Sequence, residues 1–138
     1  MTIRRPGGLI EEQLSSSVIG AFLKVHRILG FGFMEGVYAA ALELELRNRG
    51  RRVVRELSAT VHYLGFAIAH QRLDLVVDDK LVVEIKATEK LHADAGRQLY
   101  NYLRATNLEV GLLLHFGREA KFYRLLCENS RKNLRSPG

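Results

Sequence analysis

Arg72-Leu73-Asp74-Leu75-Val76-Val77, then the acidic turn Asp78-Asp79-Lys80, then Leu81-Val82-Val83-Glu84-Ile85-Lys86-Ala87: this stretch decides how the chain is read. Valine, leucine and isoleucine dominate on both sides of the turn, the composition of two strands. On a strand, residues two apart point the same way, so Glu84 and Lys86 share one face while Val83 and Ile85 share the other. Arg72 and Asp74 likewise share a face. Charges inside such strands need a partner or a purpose, because burying an unpaired charge is costly. Parity makes the arrangement testable. In an antiparallel hairpin, directly opposed residues lie on the same face. Placing Asp74 opposite Glu84 requires an odd loop, such as the three residues Asp78, Asp79 and Lys80. A two-residue Asp78-Asp79 loop would send the carboxylates to opposite faces unless a bulge intervened.

Outward from this hairpin the pattern changes twice. Phe66 to Val77 reads as the full first strand and Val53 to Tyr63 as the strand before it, with Leu64-Gly65 as the turn. Upstream, Leu14, Val18, Phe22, Val25 and Leu29 recur at three- and four-residue steps and predict an amphipathic helix over residues 10–29. Gly30-Phe31-Gly32-Phe33 breaks it, and a second helix is expected from Met34 to Arg49, ending at Gly50. Downstream, residues 91–104 return to helical spacing, Val110 to Leu114 reads as a strand buried on both faces, and Lys121 to Leu126 as an edge strand. The order is α-α-β-β-β-α-β-β, a mixed α/β arrangement of helices on a small sheet. Arg135-Ser136-Pro137-Gly138 is expected to fray.

The 138 residues suit one domain, expected over residues 1–138 with its core at about 14–126. With 47% hydrophobic and 26% charged residues, a disordered or low-complexity chain is excluded. The lone Cys127 makes no internal disulfide, and metal sites built on paired cysteines are ruled out. No apolar run approaches the length that spans a bilayer, and the opening residues lack the apolar stretch of a secretory leader, so a cytoplasmic protein without membrane association is expected. The net charge of +6 is uneven: from Arg118 onward six basic residues face two acids, and Arg47, Arg49, Arg51, Arg52 and Arg55 surround Gly50. Such surfaces attract polyanions, nucleic acid among them, or simply solvate the exterior.

Two carboxylates and an ammonium on one patch have a chemical reading. Carboxylate oxygens suit a hard divalent cation such as Mg²⁺ or Mn²⁺. Such an ion polarises a phosphodiester oxygen and lowers the pKa of bound water, and a lysine beside it orients the nucleophile and offsets negative charge on the phosphorane. The plainer reading is a cross-strand ion pair on a solvated face. The five histidines show no paired metal spacing and read as surface or core filler. Neither a phosphate-binding glycine loop nor a nucleophile elbow is present.

Gly32-Phe33-Met34-Glu35-Gly36-Val37-Tyr38 fits Gly-x-x-Glu-x-x-Tyr and resembles the GxxExxY protein family, itself similar to the PD-(D/E)XK, or restriction-endonuclease-like, nuclease superfamily. Asp74…Glu84-Ile85-Lys86 resembles that superfamily's Asp…(Asp/Glu)-x-Lys signature, and Gln98-Leu99-Tyr100-Asn101-Tyr102 its Gln-x-x-x-Tyr motif. Gly111 to Gly117 is similar to a family segment that usually carries Asn where this chain has His115. The resemblance implies an αβββαβ core, a small mixed sheet flanked by helices. It implies a Mg²⁺- or Mn²⁺-dependent nuclease acting on nucleic acid, DNA before RNA. Glu35, Asp74, Glu84 and the backbone carbonyl of Ile85 would then be metal ligands, and Lys86, Gln98 and Tyr102 catalytic. Arg72 would grip a phosphate or form a salt bridge. Tyr38 would hold Glu35 or pack in the core; Gln98 and Tyr102 would otherwise belong to an ordinary helix stripe. The rival is a non-catalytic nucleic-acid- or protein-binding module of the same fold. A domain this small offers little surface for wrapping a duplex, which leaves room for a homodimer.

Overall fold

The computed structural model describes the backbone of residues 4–5 and 8–132 and the side chains of residues 10–55, 60–69 and 74–132; Arg135-Ser136-Pro137-Gly138 and the side chain of Arg72 lie outside them. In chain order the elements are β1 (Arg4–Arg5), β2 (Gly8–Leu9), α1 (Glu12–Leu29), α2 (Glu35–Asn48), β3 (Val53–Tyr63), β4 (Phe66–Val77), β5 (Leu81–Lys86), α3 (Ala95–Ala105), β6 (Val110–Phe116), β7 (Ala120–Leu126) and a 3₁₀ turn, Asn129–Arg131. The strands β3-β4-β5-β6-β7 form one sheet in sequence order, antiparallel except for the parallel pair β5/β6, whose ends α3 bridges. The tiny β1/β2 hairpin lacks any periodicity that would announce it, being two residues per strand.

Period-two alternation sorts the sheet into two layers. Leu75, Val77, Leu81, Val83, Ile85, Leu112 and Leu114 pack against Leu14, Val18, Phe22, Tyr38, Leu42 and Leu46 of α1 and α2. Val76, Val82 and Leu113 pack on the opposite face against Ala95, Leu99, Tyr102 and Leu103 of α3. All of β6 is buried, as the apolar run Val110 to Leu114 predicts, and so is His115 beyond it.

The turn that decides the site is the odd one. Leu75 pairs with Val83, Val76 with Val82 and Val77 with Leu81, leaving Asp78, Asp79 and Lys80 as the loop. Asp78 and Asp79 both take left-handed backbone (φ 53° and 56°), which aspartate tolerates better than most residues. Asp78 is held in place: its carboxylate accepts from the Arg52 amide (2.8 Å) and from Arg51 (3.1 Å).

Strand β6 runs two residues past the expected Leu114, to Phe116, other ends move by at most one residue, and two helix starts differ from expectation. The helix expected from Leu91 begins at Ala95, because the His92 ring accepts the Asp94 amide (3.1 Å) and the His92 carbonyl accepts that of Ala95 (3.1 Å), so the chain turns before it winds. The first helix begins at Glu12, after Glu11 in left-handed backbone (φ 51°).

Candidate active site

Asp74 and Glu84 occupy the next positions of the register that pairs Leu75 with Val83, on the α3 side of the sheet with Val76 and Val82. Here the Asp74 side chain enters the ladder: its Oδ2 accepts the Ile85 amide at 2.6 Å. A strand residue presents its N–H and C=O to the same edge, so the Ile85 carbonyl also faces the Asp74 side. Glu84 and Lys86 stand together on that face, with Lys86 Nζ 3.4 Å from Glu84 Oε1. Glu35, the first residue of α2, sits at the exposed rim.

Electrostatics link these four residues. Burial, then the charge of Asp74, pushes the Glu84 carboxyl up to about 7, against the pull of Lys86 and with a smaller push from Glu35. Glu35 is raised too, first by desolvation and then by Asp74, while Lys86 lowers it. Carboxylates that raise one another's affinity for protons are placed where a cation relieves their repulsion. The donor set therefore fits a hard divalent ion in its chemistry. Among the described residues, no three His, Cys, Asp or Glu side chains are gathered closely enough to enclose a metal.

Tyr38 packs in the core and bonds the turn that leads to Glu35. Fully buried, it stacks on Phe116 (ring centroids 4.2 Å apart) and donates its hydroxyl to the Gly30 carbonyl (2.5 Å) while accepting the Phe33 amide (3.2 Å). It thus pins the Gly30–Phe33 turn that launches α2, and through it the position of Glu35. Gly30 has φ 70°, a conformation that suits glycine.

Tyr102 is a core residue under α3, its phenol pKa raised by desolvation. Gln98, one turn earlier, is exposed. Four apart, they share a side of the helix that covers the Asp74–Glu84–Lys86 face. The five arginines around Gly50 are each paired with an acid: Arg47 and Arg55 with Glu43, Arg49 with Glu45, Arg51 with Asp78 and Arg52 with Asp79. Arg55 thereby ties α2 to β3, and Arg51 and Arg52 tie the loop between them to the Asp78-Asp79 turn. Farther along, Arg124 donates to the Ile10 carbonyl, and Lys132 to the carbonyls of Thr106 (2.9 Å) and Leu108 (2.6 Å).

His115, expected to be filler, has a definite task. It pairs with Lys86 across β5/β6, and its Nε2 donates to the Thr88 carbonyl (2.7 Å), fixing the segment that leaves Lys86. His26 on α1 donates its Nε2 to the Gly117 carbonyl (2.7 Å). Two sequence signals point to the first of these: a histidine within the apolar run Val110–Phe116, and its place where the similar family segment usually carries Asn.

Comparison with known proteins agrees with this fold. No curated protein matches the chain. A solved structure, of a protein called SSO0001, superposes with a TM-score of 0.53 at 21% identity, covering 86% of this chain. This chain spans 60% of that protein's length, and the likeness is one of fold. The family model of the PD-(D/E)XK nuclease superfamily matches residues 12–125, the span that carries both helical layers, the hairpin and the Asp74–Glu84–Lys86 face. The chain belongs to the PD-(D/E)XK nuclease superfamily.

Proposed function

We propose that this domain hydrolyses phosphodiester bonds in nucleic acid, DNA in preference to RNA, with Mg²⁺ or Mn²⁺ as cofactor, and that it acts in the cytoplasm. The observation that carries this reading is the Asp74–Glu84–Lys86 face, with Glu35 coupled to it from α2. Asp74, Glu84, Glu35 and the Ile85 carbonyl would hold the ion, which when bound polarises the phosphoryl oxygen and acidifies a water. Lys86 orients the attacking water and offsets charge growing on the phosphorane. Gln98 and Tyr102 flank Lys86 from α3 and contact a phosphate or the attacking water, and Arg72 grips a neighbouring phosphate. A homodimer would supply the surface that a small domain lacks for a duplex.

Incubation of supercoiled or single-stranded DNA with Mn²⁺ tests the reading. Wild type is expected to cleave and Lys86→Ala to lose the activity; cleavage that survives Lys86→Ala overturns the mechanism. A second reading, a binding module without turnover, is favoured by one observation: Asp74 is satisfied by the Ile85 amide and Lys86 by Glu84, so the constellation also serves the fold. The two diverge in Mn²⁺. An ion that binds only the folded state stabilises it by about 2.7 kcal/mol at a hundredfold excess over Kd. Hydrolysis requires that gain in wild type and its loss in Asp74→Ala; equal melting of the two proteins favours the module.

A further inference from the structure

Immediately before Glu35, the turn that Tyr38 pins displays apolar side chains to solvent. Phe31 is 37% exposed, Phe33 46% and Met34 81%, and Val37 follows one turn into α2 at 41%. Isolated apolar residues on a surface need no explanation, but four together do. The turn is also held rigidly. Tyr38 bonds both its ends, Phe33 packs edge-to-face on Tyr38 (6.1 Å), and the Arg118 guanidinium lies 5.0 Å above the Phe31 ring while pairing with Glu89. Two fixed, partly exposed rings with two exposed aliphatic side chains, a guanidinium over one ring and a carboxylate of the candidate site next in the chain, match one occupant: bases that lie next to the phosphate under attack. Bases inside a duplex are stacked on one another and keep their faces from protein, whereas unpaired bases stack on aromatic side chains whatever their sequence.

We propose that Phe31, Phe33 and Met34 form a stacking step for unpaired nucleobases, so that the strand delivered to the site is single-stranded or locally melted. This rests on the nucleic-acid reading above and narrows its substrate.

Fluorescence anisotropy in EDTA, with labelled oligodeoxythymidine and a blunt duplex as probes, reads the step without cleavage. Phe31→Leu/Phe33→Leu removes the ring faces and keeps the apolar character. It is expected to weaken oligodeoxythymidine binding by roughly tenfold or more while shifting duplex binding by less than about twofold. Unchanged oligonucleotide binding, an equal loss on both probes, or a wild type that ignores the oligonucleotide overturns the proposal. Should the double variant fail to fold, Met34→Trp decides: it adds a ring at the most exposed position and is expected to tighten oligonucleotide binding, and no tightening overturns the step. The parent reading fails separately. A protein that binds through this step and cuts nothing loses hydrolysis alone; one that cuts duplex and ignores the oligonucleotide loses the step alone.

Discussion

Glu84 hangs from a strand on which every residue but itself and Lys86 is buried, and that position sets its chemistry. Its carboxyl, pushed up to about 7 by burial and then by Asp74, binds its proton more tightly in the folded chain than in the unfolded one, where 4.5 applies. A raised folded value contributes stability that is fully present below the unfolded value and is lost as pH rises through the folded one. Urea denaturation is expected to show wild type losing up to roughly 3 kcal/mol between pH 4.5 and 8 through this residue. Glu84→Gln, which cannot ionise, should lack that component of the slope and outlast wild type at pH 8. A wild type whose stability follows the variant's across this range would contradict the assignment. If the site takes a cation as proposed, that ion would stand in for the proton at neutral pH and relieve the Asp74–Glu84 repulsion.

At the scale of elements, the turn into α2 depends on one hydroxyl. Tyr38→Phe keeps the stack on Phe116 and removes the group that serves both Gly30 and Phe33. Leaving these main-chain groups without their partner is expected to cost about 1–3 kcal/mol in chemical denaturation, and to slow any cleavage by loosening Glu35. Little of this was legible in the sequence. Gly-x-x-Glu-x-x-Tyr shows that Glu35 and Tyr38 lie close on a helix, but the atoms Tyr38 meets are main-chain atoms of another segment, which no side-chain pattern encodes. The strand boundaries were legible because their punctuation is local: Leu64 and Gly65 (φ 50° and 79°) and then Asp78-Asp79-Lys80 turn the chain where they stand. Parity did the same for the site, since a period of two fixes which face Asp74 and Glu84 occupy once the loop length is known. The start of α3 was not legible, because the His92 ring competes with the helix for the Asp94 amide.

For the molecule as a whole, the central strands join two cores. Leu114 is buried against the layer containing α1 and α2, and its neighbour Leu113 against α3. Truncating either to alanine is expected to cost about 2–5 kcal/mol. Because one strand carries both, each variant should shift a single unfolding transition, seen alike by far-UV dichroism and tyrosine fluorescence; separate midpoints would show that the layers unfold apart. The element order and the two-sided burial of β6 were readable from apolar runs, whereas the pairing of the basic cluster around Gly50 with acids was not, since charge alone does not say which neighbour it meets. Gly117 joins these scales. Its carbonyl is the tether point for His26 of the first helix, and a Cβ built on it would sit 2.9 Å from Cε1 of the His115 ring, which itself holds Thr88 just beyond Lys86. A single methyl placed there would press on the ring that holds Thr88, at the same residue whose carbonyl tethers the first helix, so a position with no side chain of its own is one where little can be added.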